Sequence, residues 1–173
     1  MKKIGIFYGS TTGNTESASE KIQEQIGGDI VDIYDVESAK AEDVEKYDNL
    51  VFGIPTWNIG ELQEDWEDFI GLIEGDKINL EGKKVAFFGA GDQEGYPDTF
   101  GDALGIIYDL VIEKQGIPVA DKWPTDGYEF DESKGLRNDC FVGMITDEDN
   151  QSELTDERVE KFSLMLKEAF EIG

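Results

Sequence analysis

The feature that most limits what this chain can fold into is a strict alternation between two hydrophobic periods. Short runs of β-branched and aromatic residues recur at 3–8, 30–34, 49–54, 83–89 and 117–120, and the last has a partner at 140–146. Each is brief and mostly apolar, as expected of a strand covered on both faces. Between them the spacing turns helical: Ala18, Ile22 and Ile26; Leu62, Trp66, Phe69, Ile70 and Ile73; Ala103, Ile107, Leu110 and Val111. A last helix carries Val159, Phe162, Leu166, Ala169 and Phe170 on one face. Thr155 is placed to cap it, and Asp156 and Glu157 suit the positive end of its dipole. The connection around 41–46 predicts a short helix.

Alternating β and α elements predict an α/β fold, with one parallel sheet, right-handed crossovers and helices on both faces. Five strands suit the doubly wound order 2-1-3-4-5. Ligands then bind beyond the carboxyl ends of the strands, beside strand 1. One stretch, DKWPTDGYEFDESKGLRND at 121–139, breaks the rhythm. It is too polar for a strand and too rich in Gly and Pro for a helix, and loops of this length often have a function. Its Trp123, Tyr128, Phe130 and Leu136 predict a segment pinned to the body, an insertion that splits the fifth strand. With 39% hydrophobic residues, including ten Phe and three Trp, 173 residues suffice for a single domain over 1–173.

Forty acidic against fifteen basic side chains leave a net charge of -25, which repels nucleic acid and anionic membrane alike. A protein partner that docks by charge is therefore expected to be basic. The chain has no histidine and one cysteine, which removes Ser-His-Asp and Cys-His machinery, zinc sites and cysteine-ligated clusters. Any redox chemistry must then rest on an organic cofactor. Cys140 lies in an apolar run and is expected to be a buried, inert thiol. Met1-Lys2-Lys3 leads straight into a strand-like run without a signal-peptide segment, and no long apolar span occurs. A cytoplasmic monomer without membrane insertion is the expectation.

Three loops fall at the predicted ligand edge. After strand 1, Ser10-Thr11-Thr12-Gly13-Asn14-Thr15 leads into a helix whose first N–H groups and dipole favour an anion, with four hydroxyls as further donors. A P-loop needs a lysine and a wider glycine spacing, both missing between Gly9 and Asn14. Neutral donors suit one terminal phosphate held without a metal; an ordinary capped helix is the alternative. After strand 3, Pro55-Thr56-Trp57-Asn58-Ile59-Gly60 places an aromatic plate beside residues that tolerate positive φ, unless Trp57 belongs to the core. After strand 4, Gly91-Asp92-Gln93-Glu94-Gly95-Tyr96 is glycine-rich and ends in a second aromatic. A phosphate nest and two plates in one crevice fit a flat heteroaromatic cofactor with a single phosphate.

These three loops, in this order and with the 121–139 insertion, resemble the flavodoxin family, specifically its long-chain members, over essentially the whole chain. The resemblance implies non-covalently bound FMN, with phosphate held by Ser10, Thr11, Thr12, Gly13, Asn14 and Thr15. It implies that Trp57 and Tyr96 stack on opposite faces of the flavin. Thr56, Asn58, Ile59, Gly60, Gly91 and Asp92 then line the ribityl chain or ring edge, with Gln93 and Asp147 as further neighbours. Some members carry a lysine where this chain has Asn14. The implied function is a low-potential one-electron carrier, cycling between semiquinone and hydroquinone, rather than an enzyme. The expected donors and acceptors are basic redox proteins such as a ferredoxin-type NADP reductase, photosystem I or nitrogenase reductase.

Two effects would set the potential. The Asn58–Ile59 peptide is expected to turn its carbonyl toward the proton taken up at flavin N5. One uncompensated negative charge ~10 Å away, at an effective dielectric of ~20, costs about 1.7 kcal/mol, or about 70 mV before screening. The acidic segment 61–74 is either a docking face or a solvated surface. Asp147-Glu148-Asp149-Asn150 resembles a calcium loop only faintly, because an EF-hand needs Gly and Glu where Ser152 and Arg158 stand. A quinone reductase of the same fold is the alternative activity, though two covered ring faces would leave it no substrate pocket. A phosphoacceptor domain would need aspartates where Gly9-Ser10 and Pro55-Thr56 stand.

Overall fold

The alternation in the sequence becomes a layered fold because the central strands have no solvent face. The computed structural model describes residues 3–9, 13–57, 61–62 and 64–172, with Trp57, Glu61 and Leu62 described by their backbone. Strand β1 (Ile4–Tyr8) is buried at all five positions. Successive side chains of a strand point to opposite faces, so both faces of the sheet are covered. In chain order follow α1 (Asn14–Ile26), β2 (Val31–Asp35), α2 (Ala41–Glu45), β3 (Asn49–Trp57), β4 (Glu61–Leu62), α3 (Glu64–Glu74), β5 (Lys84–Ala90) and α4 (Asp102–Glu113). The rest are β6 (Ile117–Pro118), β7 (Leu136–Arg137), β8 (Cys140–Phe141), β9 (Met144–Thr146), a 3-10 turn (Ser152–Leu154) and α5 (Thr155–Ala169).

The central sheet runs β2-β1-β3-β5, all parallel, and the position beyond β5 is filled by two separate pieces. β6 pairs with the start of β5 through Lys84↔Ile117 and Val85↔Pro118. β9 pairs with its end through Phe88↔Met144, Gly89↔Ile145 and Ala90↔Thr146. This is the order 2-1-3-4-5 with a divided fifth strand, as the sequence predicts. α1 packs on α5, while α3 and α4 share a groove lined by Ile70 and Leu110. Close approach inside the sheet needs glycine at particular points. A Cβ on Gly53 would lie 2.4 Å from the Phe88 ring, and one on Gly5 2.7 Å from the Tyr47 ring.

Several boundaries differ from the sequence expectation. β3 runs past residue 54 to Trp57 and turns back as β4, with Thr56↔Leu62 and Trp57↔Glu61 paired. Thr56 and Trp57 therefore belong to a β-ribbon rather than to a loop, in keeping with the strand preference of Thr and Trp. The predicted run 140–146 is also divided. Only 144–146 joins the main sheet, because Asn138 (φ 52°) and Asp139 (φ 64°) close a tight hairpin that takes 140–141 back against 136–137. Cys140 is consequently half-buried, not enclosed. Thr155 opens α5 instead of capping it, and its hydroxyl donates to Glu148 Oε1 at 2.6 Å.

The insertion is held to the body along its length. Trp123 and Phe141 exchange two backbone hydrogen bonds of 2.8 Å. Trp123 Nε1 donates to the Tyr128 hydroxyl at 2.9 Å, which donates in turn to the Ile145 carbonyl at 2.6 Å. The Arg158 guanidinium lies 4.0 Å over the Tyr128 ring. Lys134 N–H donates to buried Asp102 at 2.7 Å, and Arg137 bonds Asp109 at 2.8 Å. The contact with α4 is so close that a Cβ on Gly105 would stand 2.0 Å from the Lys134 carbonyl oxygen.

Helix propensity alone would make Gly105→Ala stabilising by about 1 kcal/mol. The docked insertion reverses the sign, and Gly105→Ala should cost about 2 kcal/mol in urea unfolding. Gly71, inside α3 with open space around it, is the control: Gly71→Ala should stabilise by up to about 1 kcal/mol.

Candidate functional site

Parallel order places the carboxyl ends of β1, β3 and β5 side by side, and each end is tied down by backbone hydrogen bonds. At the exit of β1, Gly9 N–H donates to the Gly53 carbonyl at 3.1 Å. The Thr15 hydroxyl, buried, donates to the Gly9 carbonyl at 2.5 Å and closes the loop between them. Gly13 sits at the helix N-cap with φ 88°, a conformation that glycine adopts freely, and a Cβ there would meet nothing within 4 Å. Among the described residues no side chain caps α1. The N–H groups of the first turn of a helix have no partner within it, so such an end suits an anion. Ser10, Thr11 and Thr12 lie outside the described residues.

At the exit of β3 the Gly53 carbonyl accepts a second hydrogen bond, from Trp66 Nε1 at 2.9 Å. This fixes the start of α3 beneath the β3–β4 ribbon. The Thr56 hydroxyl accepts the Ala103 N–H at 3.2 Å, linking the ribbon to the first turn of α4. Trp57 is paired through its backbone with Glu61; Asn58, Ile59 and Gly60 lie outside the described residues.

At the exit of β5, Gly91 N–H donates to the Thr146 carbonyl at 3.0 Å. Asp92 Oδ1 accepts the Gly95 N–H at 2.7 Å and Asn150 Nδ2 at 2.8 Å. The Gly95 bond first, then the Asn150 bond, holds the Asp92 carboxyl below the ordinary carboxylate range against the opposing effect of its burial. Tyr96 N–H closes the turn on the Asp92 carbonyl at 2.9 Å, and the phenol is 41% exposed, a large aromatic face open at the ligand edge. Gln93 and Asp147 are buried and bonded to each other at 2.8 Å, so these two side chains lie beneath the loop. Asn150 was not among the predicted site residues. Asp147 accepts the Asn150 N–H three residues on, a local side-chain-to-backbone bond of the kind Asp favours outside helices and strands.

Two other groups at this edge shift toward their uncharged forms. The Tyr8 phenol is pushed up to about 12 by burial and then by Asp35, Glu16 and Glu20. The Asp149 carboxyl is raised by burial and by Asp92, Asp147 and Glu148. The carboxylates of Asp35, Glu37 and Asp65 approach within 4.8 Å of one another, as do those of Asp92, Asp147 and Asp149. Neutral donors at an uncapped helix end, an exposed aromatic at the third loop and an acidic surround fit a phosphate-bearing aromatic group.

The sequence model of the flavodoxin family matches residues 6–162. The chain belongs to the flavodoxin family. Among its relatives, a flavodoxin from a Nostoc species is 50% identical over 169 residues, covering 98% of each chain. Flavodoxin 1 of Escherichia coli is 51% identical over 169 residues, covering 97% of this chain and 94% of its own. The crystal structure of Fusobacterium nucleatum flavodoxin bound to flavin mononucleotide superposes with a TM-score of 0.89 at 30% identity, covering 97% of this chain and 98% of that one. Within this flavodoxin fold, Gly13, Asn14, Thr56, Trp57, Gly91, Asp92 and Tyr96 all stand on the three adjacent strand exits. Thr15 shares the first exit, though its hydroxyl is engaged by Gly9.

Because the folded chain depresses the Asp92 carboxyl, its contribution to stability is present at neutral pH and declines as pH falls through the folded value. Urea unfolding of cofactor-free wild type and Asp92→Asn should show a gap above about pH 5 that closes below about pH 4. A gap independent of pH would contradict this assignment.

Proposed function

We propose that the protein is a one-electron carrier, a single domain over 1–173, that binds FMN non-covalently at the carboxyl edge of β1, β3 and β5. The observation that carries this reading is the conjunction, at adjacent strand exits, of a helix N-terminus behind Gly13 that no described side chain caps and an exposed Tyr96. FMN, when bound, supplies reversible one-electron chemistry. The N–H groups of Ser10, Thr11, Thr12, Gly13, Asn14 and Thr15 and the hydroxyls of Ser10, Thr11 and Thr12 would hold its phosphate, the Thr15 hydroxyl being engaged by Gly9. Trp57 and Tyr96 would flank the ring and exclude water. Thr56, Asn58, Ile59, Gly60, Gly91 and Asp92 would line the ribityl chain and ring edge, the Asn58–Ile59 peptide holding the proton at the ring's N5. Gln93 and Asp147 would support the ring loop.

The electrostatics indicate the direction of tuning. No lysine or arginine stands in the sequence of the first loop, so the phosphate charge is met by dipoles and neutral donors alone. The raised Tyr8 and Asp149 groups report a surround that disfavours added negative charge. An electron placed at this edge is therefore given up readily, which makes the protein a reducing carrier. With 40 acids against 15 bases, its partners would be basic redox proteins, such as a ferredoxin-type NADP reductase, photosystem I or nitrogenase reductase. Among the described residues no helix is long and apolar enough to cross a membrane, and the proposed working form is a cytoplasmic monomer.

The direct test is the visible spectrum of the purified protein, before and after FMN is added to a cofactor-free preparation. A flavin band with stoichiometric uptake is expected, and a protein that stays colourless and takes up no FMN would refute the reading. A second outcome follows from the neutral phosphate loop. Asn14→Lys should raise the potential of the more reducing couple by on the order of 10–50 mV at low salt, and less as salt screens the charge. An unchanged or lower potential would count against the electrostatic account.

A further inference from the structure

Gln93 stands in the middle of the loop that carries Asp92 and Tyr96, yet it is only 3% exposed. Both ends of its side-chain amide are committed inside the protein. Nε2 donates to Asp147 Oδ2 at 2.8 Å, and Oε1 accepts the Glu129 N–H at 2.5 Å. This orientation of the amide is the one that satisfies both partners, because a carboxylate only accepts and a backbone N–H only donates. The Gln93 backbone N–H also reaches Asp147 Oδ2, at 3.0 Å. Asp147 is 0% exposed, and its carboxylate also accepts from the backbone and side-chain amides of Asn150. The Asn150 amide donates as well to Asp92, whose carboxylate and carbonyl hold the Gly95 and Tyr96 N–H groups.

A continuous path of hydrogen bonds therefore runs from the insertion at Glu129 through Gln93, Asp147 and Asn150 to Asp92 and the turn at Tyr96. The insertion touches the same loop once more, where Asp131 and Glu132 N–H both donate to the Pro97 carbonyl at 2.8 and 3.0 Å. The loop is thus fixed at Gly91 by Thr146, at Gln93 by Asp147 and Glu129, and at Pro97 by the insertion.

We propose that Gln93 is a positioning residue: its side chain, bonded between Asp147 and Glu129, contacts no part of the cofactor and fixes the turn that presents Tyr96 to it. The proposal rests on the FMN reading above. Without the amide, the Glu129 N–H loses its side-chain acceptor and the link between Glu129 and Asp147 is cut, while Asp147 Oδ2 keeps only the Gln93 backbone N–H and Asn150. The turn then spends only part of its time in the binding geometry, and affinity falls by that fraction. Since the effect passes through Tyr96, it disappears when the Tyr96 ring is absent.

FMN is titrated into cofactor-free wild type, Gln93→Met, Tyr96→Ala and the double variant, with urea unfolding of each cofactor-free protein alongside. Met keeps the length of the side chain and removes its hydrogen bonds. Gln93→Met should weaken FMN binding about tenfold when Tyr96 is present, and less than about twofold when position 96 is already Ala. Asn150→Ala, which cuts the same path on the other side of Asp147, should show the same dependence on Tyr96 and serves if Gln93→Met does not fold. A general structural role would weaken binding equally in both backgrounds, and that result, or no weakening at all, overturns the proposal. A wild type that takes up no FMN overturns the cofactor reading instead.

Discussion

The carbonyl of Gly53 receives two hydrogen bonds, one from Gly9 N–H at the end of β1 and one from the indole of Trp66 in α3. Much of the site depends on this one acceptor. It fixes where the first loop begins, and it sets the height of the helix that follows the second. It is reachable because residue 53 has no side chain: a Cβ would strike the Phe88 ring from β5. The same position thus joins the packing of three strands to the placement of two loops. A buried carbonyl with both lone pairs satisfied is also a rigid one, since losing either donor would leave a polar group without a partner.

From that framework the functional edge follows with little freedom left. The first loop is closed by the Thr15 hydroxyl on the Gly9 carbonyl, the second by pairing of Thr56 and Trp57 with β4, and the third by Gly91 on Thr146. All of these contacts lie within the chain, and a fold that holds its loop ends in this way lowers the ordering cost of binding. What it withholds is positive charge. Tyr8 and Asp149 both shift toward their uncharged forms there, and a negative charge added at this edge meets the same opposition.

The architecture was legible in the sequence because short apolar runs alternate with segments of helical spacing, and parallel order with right-handed crossovers leaves few topologies. The insertion was legible as pinned because its aromatics at 123, 128 and 130 favour burial over water. Strand ends were less so. That Cys140 leaves the main sheet is decided by a local turn: Asn138 and Asp139, both at positive φ, form a hairpin whose sequence cue is present but weak. The positions of Gly13, Asp92 and Tyr96 at the strand exits could be anticipated from their loops. The engagement of Gln93 with Asp147 could not, since the partners are 54 residues apart and only the fold brings them together. Nor could the bond between Trp66 and Gly53, because an indole on an apolar helix face reads as core, which it also is.

The central claim is that this edge is assembled by the framework and precedes any cofactor. Amide hydrogen exchange on the cofactor-free protein tests it most directly, read at Gly9 and Gly91, whose N–H groups point to Gly53 and Thr146. The account predicts that both exchange at least about 1,000-fold more slowly than in an unfolded chain, close to the protection of the central strands. Exchange within about tenfold of the unfolded rate at these two amides, with β3 still protected, would show that the cofactor builds the site and would contradict it.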